Sequence, residues 1–239
     1  MDQINHLRAP TGRHEILAAM RDIAPAGVAA VPIGLLFGAV AVGKGLSPTE
    51  VVLMSALVFA GGAQFAAIET WVYPVPIAAL TFSTLLINIR HVLMGASLAP
   101  KMQGSRLQRY IGFFFLTDEA WAVAERRALD RPVTPAYWLG VAATVLPFVW
   151  IVSTGLGAIL GSFLGDPGRL GADFAFTALF ICLISGFGRS RVTVATIIAS
   201  GATAALVHQF IGAPWHVASG ALVGIAAAFV ASGKEEGGQ

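Results

Sequence analysis

Three polar clusters interrupt otherwise apolar runs, and their residue types are those that handle charged solutes. Asn88, Arg90 and His91 fall within four residues of FSTLLINIRHVLMGASLAP, residues 82–100. Charged groups at membrane depth are costly, so they face a bundle interior, an aqueous cavity or the headgroups. On a helix Asn88 and His91 share a face, while Arg90 points about 100° per residue away from each. The second cluster is FAGGAQF, residues 59–65. Gly61-Gly62 is unfavourable inside a helix and marks either an interface or an unwound segment. A buried Gln64 must find hydrogen-bond partners. The third is Thr117-Asp118-Glu119, inside RYIGFFFLTDEAWAVAERRA. Its acids either sit at a water interface or form an ion- or substrate-linked site in a cavity.

Such clusters need a scaffold, and the composition says which kind. Hydrophobic residues make up 56% of the 239 residues and charged residues 12%, against roughly 25% charged in a soluble domain. Mean hydropathy is +0.75. Several runs approach the roughly 20 apolar residues that cross a bilayer. The fold class expected is all-α, a polytopic transmembrane bundle of 7–8 spans with Pro/Gly-broken or re-entrant helices. Residues 1–22 read as a cytoplasmic tail with an amphipathic portion at Glu15–Asp22, 23–232 as one transmembrane domain, and 233–239 as a C-terminal tail. The net charge of +2 comes from short basic clusters between apolar runs, a pattern of topology signals rather than a nucleic-acid stripe. The lone Cys182 excludes an intramolecular disulfide and reads as a packed thiol.

Taken in order, Ile23–Gly43 carries Pro25 and Pro32, and reads either as a kinked, tightly packed helix or as a discontinuous one. Gly34 and Gly38 have the spacing of close helix contact. Ser47 and Pro48 start the next helix. Glu69 beside Trp71 and Tyr73 reads as interfacial. Ala136–Leu164 contains STGLGAILGS, suited to close packing, and Asp173 reads as a helix cap. Eight spans from a cytoplasmic N-terminus satisfy the positive-inside rule except at Lys101–Arg109, which the count places outside. The misfit implies a short or re-entrant segment nearby. It also motivates the expectation that the helix breaks or ends near Asn88.

No HExxH, GxSxG or GxxxxGK[ST] motif is present, so no enzyme and no cofactor or metal is expected. FAGGAQFAAI, LLINIRHVLMGASLAP and FFLTDEAWAV together resemble the AzlC-type (YgaZ-type) branched-chain amino acid exporter large subunits. That resemblance implies a multi-pass permease of the bacterial inner membrane that exports hydrophobic amino acids. It also implies a small hydrophobic AzlD-type membrane subunit as partner. From physics, Gly61, Gly62, Gln64, Asn88, His91 and Asp118 are the candidate substrate-binding residues, and Asp118, Glu119 and Arg90 the candidates for coupling or ion pairing. Phe59, Phe65 and Trp121 are candidate pocket walls or core residues. The competing readings are a non-transporting membrane scaffold and a passive small-solute channel.

Overall fold

The computed structural model describes residues 12–164, 181, 184, 185, 190–212 and 215–236. Residues 1–11 of the expected tail, Asp173 and Cys182 lie outside these. Two compact units result, with described residues within 12–68 and 88–164 in the first and within 69–87 and 181–236 in the second. Apart from one isolated β-bridge, the regular structure among the described residues is helical. Four helices, Gly12–Gly43, Ile77–Lys101, Pro135–Gly161 and Arg191–Phe210, are long and apolar enough to cross a membrane.

The first unit is built on two long parallel helices. Helix α1 (Gly12–Gly43) runs unbroken through Pro25 and Pro32, although each proline removes a ladder hydrogen bond. Of the two readings of this span, the continuous helix holds. Residues 12–22 are its first turns, with Glu15 and Ala19 buried. Its partner comprises α7 (Pro135–Gly140), a π-turn at Val141–Val145 and α8 (Leu146–Leu164). The π-turn lies just upstream of Pro147, where a wider turn relieves the clash between the proline ring and the preceding carbonyl. A Cβ on Gly38 would collide with the Thr154 carbonyl, and one on Gly157 with the Leu35 backbone. Contacts advance in step, from Gly12 against Ala136 to Gly161 against Ala39, so the two helices are parallel. Small residues are what allow backbones to approach this closely.

Two helical hairpins attach to this pair. Hairpin 1 joins α2 (Pro48–Leu57) to α3 (Gly61–Glu69) through Val58, Phe59 and Ala60, with Val58 extended. Ser55 and Gln64 hydrogen-bond at 3.3 Å although nine residues apart. A continuous helix would separate them by about 13 Å, so the arms fold back. The run from 51 to 68 is therefore not one straight span. A capping box starts α2, with the Ser47 amide donating to Glu50 at 2.7 Å. That amide, and then the Ser47 hydroxyl, hold the exposed Glu50 carboxyl below its ordinary range. Its contribution to the cap is present above the unfolded pKa and is lost as pH falls.

Hairpin 2 joins α5 (Arg106–Phe114) to α6 (Asp118–Asp130) through Phe115, Leu116 and Thr117. It too opens on a capping box, Ser105 with Gln108. Its two ends are tied together: the Gln103 amide donates to Val133 at 2.9 Å, and the Val133 amide to Lys101 at 3.4 Å. The chain thus leaves and re-enters at one place, beside the start of α7. Helix α4 (Ile77–Leu98) precedes it and ends in a 3-10 turn at Ala99–Lys101. The expected break near Asn88 is not there. No proline or glycine interrupts α4 between Ile77 and Met94, and the irregularity falls in hairpin 2 instead. Met94 and Leu98 of α4 join Ile23, Leu116, Ala120, Tyr137 and Trp138 in the buried core.

In the second unit, α9 (Arg191–Phe210) and α10 (Trp215–Glu236) pack antiparallel, with Gly220 against Ala204 and Gly224 against Ser200. Residues 233–236 continue the last helix.

Gly38→Val removes the clearance between α1 and α8. It is expected to destabilise the protein by at least about 1–3 kcal/mol, the usual effect of overpacking. Gly95→Ala is the control, since nothing lies within 4 Å of that position. Thermal denaturation in detergent checks both: a large drop in Tm for the first, and little for the second.

Candidate functional site

The two hairpins enter the first unit from opposite ends. Hairpin 1 starts where α1 finishes, joined to it through residues 44–47. Hairpin 2 starts and ends beside the beginning of α7, the end where Gly12 faces Ala136. Their breaks meet. The Phe59 ring of hairpin 1 lies 5.6 Å from Phe114 and 5.3 Å from Phe115 of hairpin 2.

At the same tip of hairpin 2, Thr117 caps α6 by accepting from the Ala120 amide at 3.2 Å. Asp118 therefore opens the helix, where a carboxylate complements the N-terminal partial charge. Arg90 of α4 reaches it, Nη2 to Oδ2 at 2.9 Å, with the two side chains 31% and 36% exposed. A partly exposed pair contributes little to stability, about 0–1 kcal/mol. Among the described residues, the Arg90 Nε and the Asn88 Oδ1 are buried without a hydrogen-bond partner. His91 lies one turn on, its Nδ1 3.1 Å from the Asn88 carbonyl. A carbonyl can only accept, so Nδ1 carries a proton in this contact. Arg90 and Asp118 are thus brought together, Asn88 and His91 meet only each other within α4, and Glu119 follows Asp118 half-buried in the same turn.

Gly61, Gly62 and Gln64 do a different job. Gln64 is fully buried. Its Nε2 donates to Ser55, and its Oε1 accepts from the Trp150 indole at 2.8 Å. A Cβ on Gly61 would meet the Trp150 ring at 3.2 Å, while Gly62 sits half-buried beside it. This triplet pins hairpin 1 to α8. Phe65 packs edge-on to Phe37 at 5.2 Å, as a wall of that contact.

Two polar networks were not read from the sequence. In one, the Trp121 indole donates to Ser97 at 2.9 Å, Ser97 donates to Glu125 at 2.8 Å, and Lys101 pairs with Glu125. Trp121 is thereby a hydrogen-bonding link between α4 and α6. In the other, buried Glu15 accepts from Arg127 at 2.7 and 2.8 Å and from Thr134 at 3.0 Å. Arg127 lies 4.3 Å over the Tyr137 ring, whose hydroxyl donates to Asp22 at 2.6 Å. The only advance signal was the amphipathic spacing of Glu15–Asp22. Among the described residues, no three His, Cys, Asp or Glu side chains gather as a metal site requires.

The architecture is that of an all-helical protein with membrane-length helices and two interrupted hairpins. Residues 25–164 match the AzlC protein family model, and the chain belongs to that family. It is 31% identical over 209 residues to the inner membrane protein YgaZ of Escherichia coli, covering 81% of this chain and 82% of that one. Against the branched-chain amino acid transport protein AzlC of Bacillus subtilis it is 29% identical, covering 72% and 68%. An uncharacterized membrane protein of Archaeoglobus fulgidus is 30% identical, covering 77% and 80%. No solved structure matches significantly.

Gln64→Leu leaves the Trp150 N–H without its acceptor and Ser55 without its donor. The expected loss is about 1–3 kcal/mol, read as a lowered Tm of the purified protein.

Proposed function

We propose that this chain is a secondary active transporter of the bacterial inner membrane. In this reading it exports valine, leucine, isoleucine, methionine or similar hydrophobic amino acids, is coupled to protons, and works with a small AzlD-type membrane subunit. The observation that supports it best is the meeting of two interrupted hairpins beside the exposed Arg90–Asp118 pair. A zwitterion with an apolar side chain needs a cation for its carboxylate, an anion for its ammonium and an apolar wall. Arg90 offers planar donors to a carboxylate, Asp118 accepts an ammonium, and the rings of Phe59, Phe114 and Phe115 supply the wall. Substrate would enter by replacing the internal ion pair with two pairs of its own. Protonating Asp118 breaks the same pair, which is how proton and substrate movement become linked.

The basic residues support an orientation. Because hairpin 2 returns to its starting point, Lys101, Arg106, Arg109, Arg126, Arg127 and Arg131 all belong to the end where α1 begins. The positive-inside rule makes that end cytoplasmic, and the sequence misfit at Lys101–Arg109 disappears. In this reading α1, α4 and α7–α8 cross while the hairpins re-enter from opposite sides. With the apolar run expected at Asp173–Ser185 and the two helices after it, the eight apolar segments become six crossings and two re-entrant hairpins.

Asp118→Asn and Asn88→Ala are each expected to abolish efflux from preloaded vesicles at normal membrane abundance. Wild-type rates in both variants exclude the proposed site. Collapsing the pH gradient is expected to stop uphill movement; unchanged uphill export removes the proton from the scheme.

A second reading, a membrane scaffold without transport, draws on Gln64, whose amide is taken up by contacts within the protein. It predicts no flux, with substitutions that lower abundance or partner binding instead.

A further inference from the structure

We propose that Phe59 is the specificity-determining residue of the path, setting the largest side chain that passes between the hairpins. The proposal rests on the amino acid export reading and names what selects among substrates. In an amino acid the side chain begins one carbon from both charged groups. If Arg90 and Asp118 hold those groups, the side chain must fall against whatever stands next to Asp118. Phe115 lies three residues before Asp118, across the break of hairpin 2, and its ring is 5.3 Å from Phe59. Phe114 and Phe115 meet at 5.0 Å within their own chain. Phe59 is the ring that comes from the other hairpin and touches both.

The three rings are not ordinary core. The buried cluster takes in Leu116 and Ala120 on either side of Thr117, with Phe115 only packed against it, and it omits Phe59 and Phe114. Phe114 is 59% exposed, and Phe59 and Phe115 are half-buried. Phe59 also stands in the irregular link of hairpin 1, directly after the extended Val58. No helical ladder fixes its position, so it can move aside with the link. An apolar surface that is accessible and close in the chain to a charge pair discriminates by side-chain volume.

The test uses the full-length protein in membrane vesicles preloaded with valine, leucine, phenylalanine and tryptophan in competition. Phe59→Ala is expected to raise the phenylalanine-to-valine efflux ratio by about tenfold or more, the scale of several methylenes in an apolar pocket. Phe59→Trp is expected to lower the leucine-to-valine ratio. If Phe59→Ala does not reach the membrane, Phe59→Leu carries the comparison, with a smaller shift in the same direction. Unchanged ratios alongside robust wild-type export overturn the role of Phe59 alone. Wild-type vesicles that export none of the four overturn the export reading and this assignment with it.

Discussion

Everything in the first unit depends on the backbone-to-backbone contact between α1 and α8. Gly38 lies against the Thr154 carbonyl and Gly157 against the Leu35 backbone, with no room for a side chain at either place. In a lipid environment the hydrophobic effect does not drive helices together, so van der Waals packing of small residues must. Parallel orientation follows from the register of these contacts. It requires the intervening chain to travel back from the end of α1 to the start of α7.

The hairpins hold their positions by a different kind of force. Their arms are too short to be stable by propensity alone. Capping boxes at Ser47 and Ser105 satisfy the amides that open each one. Buried polar contacts then fasten them: Gln64 to Ser55 and Trp150 for hairpin 1, and Glu15 with Arg127 for hairpin 2. Each of these is strong because the alternative is an unsatisfied group away from water. The Arg90–Asp118 pair is the exception, more exposed and sited at the tips.

Much of this was legible in the sequence. Composition and run length specified a helical membrane protein. The spacing of Gly34 and Gly38 marked a close contact, Ser47 and Pro48 a helix start, and Asn88–His91 and Asp118 residues that do not belong against lipid. The basic loop at Lys101–Arg109 lies beside an interrupted helical hairpin. The break expected near Asn88 rested on the topology misfit at Lys101–Arg109, and α4 runs through Asn88 without one. The actual interruptions are at Val58–Ala60 and Phe115–Thr117, where the local sequence is mostly apolar. The fold-back between Ser55 and Gln64 is a tertiary fact, and no periodicity announces it. The partners of Glu15 were equally hidden, since Arg127 and Thr134 are more than a hundred residues away.

The meeting of the two links at Phe59 has an electrical consequence. If water follows each hairpin inward from its own side, the insulating layer is no longer the roughly 30 Å of a bilayer's hydrocarbon. It shrinks to a septum about one aromatic ring thick. The membrane voltage then drops across that septum, where about 2.3 kcal/mol per elementary charge per 100 mV is available.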